Sequence, residues 1–254
     1  EQLANGFPEE RAELFDYDAL IIGSFNAAEL TAEQQEMIRD FVSERGGSLL
    51  MLGGLNGLGL GGWGESVVDE VLPSRLSADQ AEFVREKSWI TLTDNGKLAP
   101  LLQLSNSETE NERIWADLPE IADYQQLGPL RPAATTLLNV NVDGRMQPLL
   151  VTQPYGRGQS YILATGGTWR WQMSLPVDDM SHETFWRQLT RALVANSPRP
   201  FELSSRVDTE EIKVRAELRD PESEENQGLA ISAVVSSENN DVVTLELMPV
   251  SGQP

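Results

Sequence analysis

The chain has 254 residues with 19 basic against 40 acidic side chains, one histidine and no cysteine, for a net charge of −21. That length supports one sizeable core, or one core with a small partner domain. The charge disfavours phosphate backbones and anionic headgroups as partners, and the missing cysteine excludes disulfides, thiolate metal sites and a cysteine nucleophile.

The first residues, Glu1 to Glu13, are acidic and polar rather than a signal peptide. No run of about 18 apolar residues follows that could span a bilayer. The chain opens on Glu1 rather than Met, so any membrane anchor of a parent protein is expected outside it. Phe15 to Ser24 reads as a buried parallel strand ending in a glycine turn. Thr31 is a good helix N-cap, and Gln34 three residues later completes a capping box. Met37, Ile38, Phe41 and Val42 fall on one face of that helix, and Gly46-Gly47 ends it. Ser48 to Leu52 is then an apolar strand running into Gly53-Gly54. Strand, helix and strand with short joints make a βαβ unit with a parallel sheet.

Gly57 to Gly64, closed by Trp63, lacks the Gly-Lys-Ser/Thr of a Walker A loop and makes no dinucleotide fingerprint. A flexible rim on a cleft fits its composition better. Val67 to Leu72 reads as a short helix broken by Pro73. Ser74 to Pro132 reads as irregular and rich in turn residues, with Trp89 and Trp115 as core anchors. Ala133 to Val142 is a strand, Asp143-Gly144 a hairpin turn into Pro148 to Gln153, and Tyr155 to Gly158 a second turn into the strand Gln159 to Thr165. These strands add an antiparallel part to the sheet. Ser181 opens a helix whose stripe is Phe185, Leu189, Ala192 and Leu193, and Asn196-Ser197-Pro198 stops it. Beyond Pro200 the pattern changes to alternation, with strands at Ile212 to Leu218, Leu229 to Ser236 and Val242 to Leu247.

Five stretches of the chain, taken together, resemble a known family. They are Phe15 to Ser24, Phe41 to Gly54, Tyr155 to Gly158, Thr168 to Trp171 and Ser181 to Leu189. Over roughly residues 7 to 199 they are similar to the glutamine amidotransferase-like domain of large bacterial membrane proteins. The resemblance implies a flavodoxin-like class I glutamine amidotransferase-like α/β sheet with helices on both faces. It also implies a membrane-anchored parent whose transmembrane helices lie outside this segment, which is expected to be a soluble domain that does not itself insert into the membrane. The missing cysteine fits an extracytoplasmic compartment, although a cytoplasmic protein can also lack cysteine. Two domains are expected: an α/β domain over 1–199 and a β-sandwich-like segment over 200–254.

Class I amidotransferases use a cysteine on a strand-to-helix turn, a histidine that takes its proton and a carboxylate that orients the histidine. The nucleophile position falls at Gly53-Gly54, and the histidine-glutamate position at Thr165-Gly166-Gly167. Neither place carries the required side chain. His182-Glu183 stands at a helix start, where neighbouring residues do not face each other. His182 is either a cleft contact or a capping-turn residue packed beside Trp169 or Trp171. Arg170, between two tryptophans, either grips an anionic ligand or stacks by cation–π contact. One histidine cannot build a multi-histidine zinc site, so no metal or cofactor is expected.

The resulting expectation is a non-catalytic module that binds a ligand, other domains of its parent or envelope proteins, and not nucleic acid. Its binding rim is expected to comprise Gly53, Gly54, Asn56, Trp63, Arg170, Trp171 and His182, because loops after strand ends line clefts in open parallel sheets. The alternative is a hydrolase or amidotransferase with a non-cysteine nucleophile.

Overall fold

The computed structural model describes residues 6–79, 81–195 and 197, together with the backbone of four strands within 201–247. The chain divides into two units, Glu1–Ser197 and Pro198–Pro254.

In the first unit a short helix, α1 (Arg11–Phe15), leads into strand β1 (Ala19–Ile22). Helix α2 (Ala32–Asp40) starts at the expected capping box: Thr31 Oγ1 accepts the Gln34 N–H at 3.2 Å, and Gln34 Oε1 accepts the Thr31 N–H at 3.0 Å. The helix runs on through a π-helical turn, Phe41–Arg45, and stops where Gly46 takes a left-handed φ of 86°. Ile38, Phe41 and Val42 are fully buried, as the apolar spacing predicts. Strand β2 (Ser48–Leu52) then pairs parallel with β1, Ala19 opposite Ser48. β1 is the edge of the sheet, and Ile21 is 45% exposed. It is therefore less buried than its apolar run suggests, because an edge strand has a neighbour on one side only.

The middle of the chain is more ordered than its turn-rich composition predicts. It carries β3 (Phe83–Val84), β4 (Ile90–Leu92), α3 (Asp94–Leu98), α4 (Glu108–Asp117) and β5 (Tyr124–Gln125). The polar run Ser105 to Arg113 is mostly helix. Ser107 caps α4, and Arg113 pairs with Glu110 at 2.7 Å and with Asp117 at 2.8 Å along its exposed face. Its buried face contributes only Asn111 and Trp115, too narrow an apolar stripe to announce a helix. Trp115 is a core anchor at 2% exposure, but Trp89 is not, at 55%. Strand alternation explains the second: Ser88 and Ile90 on either side of Trp89 point inward, so the indole points out.

Strands β6 (Thr135–Val142), β7 (Arg145–Tyr155) and β8 (Gly158–Leu163) form the expected meander. Asp143 and Gly144 both have positive φ, 51° and 75°, the requirement of the two-residue turn that matches strand twist. The six-stranded sheet has the order β1-β2-β8-β7-β6-β4. β1, β2 and β8 are parallel, and β8, β7, β6 and β4 are antiparallel to their neighbours. Leu49, Leu50 and Met51 in β2 are all fully buried, so both faces of this strand are covered. Helices α5 (Trp169–Ser174) and α6 (Ser181–Ala195) follow β8, and α6 buries Phe185, Leu189 and Leu193. The unit is mixed α/β.

The second unit contains β9 (Phe201–Val207) paired antiparallel with β10 (Ile212–Leu218), and β11 (Ile231–Ser236) paired antiparallel with β12 (Val242–Leu247). Three of these strands lie where the alternation places them, and β9 is additional.

Candidate functional site

Parallel β2 and β8 end side by side, and the turns after them touch. The Gly53 N–H donates to the Leu163 carbonyl at 2.7 Å. A side chain at Gly53 would collide with the Ala164 backbone, so the residue is glycine for close approach of two chains. This is the crevice where α/β proteins commonly build sites.

In this protein the crevice is filled from within. Gln125, at the end of β5, is fully buried. Its Oε1 accepts the Gly54 N–H at 3.1 Å and its Nε2 donates to the Gly57 carbonyl at 2.8 Å. Its own backbone N–H donates to the Ala164 carbonyl at 2.8 Å. The Asn56 N–H donates to Ser24 Oγ at 2.9 Å, and the Gly57 N–H to the Gly54 carbonyl at 3.1 Å. The amides of Gly53, Gly54, Asn56 and Gly57 thus all have internal acceptors, and none of them is left to stabilise a developing oxyanion. On the β8 side, Thr165 Oγ1 donates to Asp123 Oδ1 at 2.8 Å and accepts the Gly167 N–H at 2.9 Å. Asp123 therefore binds the end of β8, and Gln125 binds the ends of both strands.

The glycine-rich stretch after this turn is not a flexible rim. Gly57, Leu58, Gly59 and Gly61 are buried, and Trp63 is fully buried with its Nε1 donating to the Phe25 carbonyl at 2.8 Å. The loop is part of the core because its glycines let backbone pass close to backbone.

Trp171 and His182 belong to a separate aromatic cluster. Trp171 is 1% exposed, and its ring meets Trp115, Phe185 and His182 edge-to-face at 6.2, 5.7 and 6.3 Å. His182 Nε2 is buried without a hydrogen-bond partner. Burial holds the imidazole pKa below its usual 6.5, against an opposing pull from the Glu183 carboxylate. No hydroxyl or carboxylate hydrogen-bonds to His182 among the described residues.

The remaining expected residue, Arg170, lines an open cleft of about 400 Å³ beside α5. Trp89, Trp169, Lys87, Glu120 and Met173 line it too. Trp169 is 52% exposed, and the Arg170 guanidinium lies 4.6 Å from its ring centre. The seven residues expected on one rim are thus divided. Gly53, Gly54, Asn56 and Trp63 belong to the turn after β2, Trp171 and His182 to the aromatic cluster, and Arg170 to the cleft. Gln125 and Asp123 had no signal in the sequence, since a lone amide or carboxylate in a polar segment looks like surface. Trp89 was visible, but its outward direction becomes readable only once β4 is recognised as a strand.

No family model and no curated protein matches the chain. Among the solved structures similar to it are the cytoplasmic protein STM3548 from Salmonella typhimurium and the cytoplasmic protein STM1381 from Salmonella typhimurium LT2. Each is 20% identical with a TM-score of 0.56, over 74% of this chain and 76% of its own. A β-galactosidase from Rahnella sp. R3 matches at a TM-score of 0.46 and 15% identity, over 91% of this chain and 31% of its own. At 20% identity the likeness to the Salmonella proteins is one of α/β fold and brings no activity with it.

Proposed function

We propose that residues 1–199 form a non-catalytic glutamine amidotransferase-like domain, a ligand-binding or protein-interaction module of a membrane-anchored bacterial envelope protein. In this reading the sheet descends from the flavodoxin-like class I amidotransferase frame, and residues 200–254 continue into a β-sandwich. The observation that supports it best is Gln125. Its carboxamide takes up the backbone groups of the turn where such an enzyme would hold its nucleophile and oxyanion hole. The absence of any cysteine supports the same reading from the sequence side.

Membrane anchorage rests on the family resemblance alone. Among the described residues no helix is long and apolar enough to cross a membrane. The cysteine-free composition fits an extracytoplasmic compartment. The two similar Salmonella proteins are named as cytoplasmic, which lends that placement no support. Protease accessibility of the domain in intact against permeabilised cells decides the compartment.

The activity reading is tested by ammonia release from glutamine, measured beside His182→Ala. The expected result is no turnover in either protein. Turnover in the parent that disappears in His182→Ala would overturn the non-catalytic reading and make His182 catalytic.

A further inference from the structure

The cleft beside α5 is lined by none of the side chains that fill the crevice, and its lining has the composition of a contact surface. Trp89 and Trp169 are more than half exposed and Met173 is 77% exposed. Large apolar side chains scattered singly over a surface need no explanation, but three on one cleft do. Tryptophan, methionine and arginine are also the side chains enriched at the centres of protein interfaces.

The charge on this lining runs against the rest of the chain. Lys87 and Arg170 make no ion pair among the described residues, and Glu120 is the one carboxylate in the lining. A local excess of cation on a protein of net charge −21 is the inverse of what solubility alone would produce. Arg170 is also pre-organised. Stacking on Trp169 restricts the guanidinium, while its N–H groups remain available for the two-point contact that a carboxylate accepts. A cationic ligand is disfavoured because Arg170 already lies over Trp169. The field of the whole chain opposes any anion, and it opposes the continuous phosphate charge of a nucleic acid far more than a short segment that places one carboxylate against Arg170.

We propose that this cleft docks an acidic segment of a partner protein. Apolar side chains of the segment rest against Trp89, Trp169 and Met173, and a carboxylate pairs with Arg170, with Lys87 adding attraction. The proposal rests on the interaction-module reading above and gives it a partner chemistry.

The test uses the whole chain and fluorescein-labelled peptides read by anisotropy. The probe is Glu-Leu-Glu-Phe-Glu-Leu, with the glutamine-for-glutamate and lysine-for-glutamate versions as controls. The acidic peptide is expected to bind saturably and at least tenfold more tightly than the glutamine version. Its binding should weaken as salt rises from about 0.05 M to about 0.5 M. Arg170→Glu and Trp169→Ala alter exposed side chains, so both should keep the parent's circular dichroism and melting point. Each should nevertheless weaken binding at least tenfold.

The proposal is overturned if the acidic peptide binds no better than either control, or if both variants bind as the parent does. It is equally overturned if sedimentation shows a dimer that Arg170→Glu dissolves, which would make the occupant a second copy of this chain. Failure here with no ammonia release leaves the non-catalytic reading standing, whereas ammonia release removes that reading whatever the peptide does.

Discussion

Gln125 and Gly54 are 71 residues apart in the chain, and the side-chain oxygen of the first accepts the backbone N–H of the second at 3.1 Å. The same carboxamide donates to the Gly57 carbonyl, so one side chain closes both buried ends of a turn whose tip, Leu55-Asn56, faces solvent. Gln125→Ala leaves the buried Gly54 N–H without an acceptor and the Gly57 carbonyl with the Gly61 N–H alone, and is expected to cost about 2 kcal/mol in urea unfolding. Gln125→Glu keeps an acceptor for Gly54 but loses the donor to Gly57 and buries a charge. It should be at least as destabilising as alanine at neutral pH and recover in part as the carboxylate protonates in acid.

Gly53 and Gly54 are both intolerant of a side chain, for different reasons. A Cβ on Gly53 meets the Ala164 backbone, and one on Gly54 meets the Ser24 side chain at 2.7 Å. Gly53→Ala should therefore cost about 3 kcal/mol, with no rescue by trimming a neighbour. Gly54→Ala should cost about 2 kcal/mol, and Ser24→Gly in the same chain should restore part of that loss. Gly54→Cys, which restores a thiol to the turn, is expected to release no ammonia from glutamine, because the surrounding amides are already engaged.

His182 gives the domain a pH dependence of definite sign. Its folded-state pKa lies below the ordinary 6.5, so the unfolded chain binds the proton more readily. Stability from this residue is complete above the unfolded value and falls as pH drops below about 6.5, levelling off below the folded pKa. His182→Gln should lose less stability than the parent between about pH 7 and pH 5, measured as the difference in urea midpoints. A parent and variant with parallel profiles would show that the imidazole protonates freely in the folded state.

Arg131 anchors a part-buried ion pair with Asp69. It donates to Asp69 Oδ2 at 2.7 Å and to the carbonyls of Asp69 and Leu72 at 2.8 and 2.9 Å. Burial raises the Asp69 pKa, while the Leu76 N–H and Arg131 oppose the rise. Arg131→Ala removes the carboxylate's counter-ion together with two carbonyl partners and is expected to cost about 3 kcal/mol. Lysine at this position recovers little, since a single ammonium cannot reproduce the planar fork. Thermal melts of the three proteins check the order.

The parts of the fold that sequence reading reached are those governed by local rules. The Thr31–Gln34 box, the Gly46 stop and the Asp143-Gly144 turn each act over a few residues, and each forms as its chemistry requires. The parts it missed depend on distant partners. Helix α4 carries only Asn111 and Trp115 on its buried face. Its order comes from Trp115 packing on Trp171 and Phe185, far along the chain. The candidate site was legible as a strand-end turn lacking a nucleophile. What occupies that turn was not, because a glutamine that binds backbone across the sheet looks no different in sequence from one that faces water.

The order of strands in the sheet also sets an order of events in time. β6, β7 and β8 are joined by tight turns, whereas β2 finds its parallel partner β8 only after the whole middle of the chain has been laid down. Closing a large loop costs entropy before any contact repays it, so long-range parallel pairing is slow. The β6–β8 meander can assemble from near neighbours, and the β1–α2–β2 unit can then dock on the exposed edge of β8. In pulse-labelled hydrogen exchange during refolding, amides of β7 should gain protection before those of β2. Until docking is complete, β8 presents an unpaired apolar edge, and refolding yield should fall as protein concentration rises.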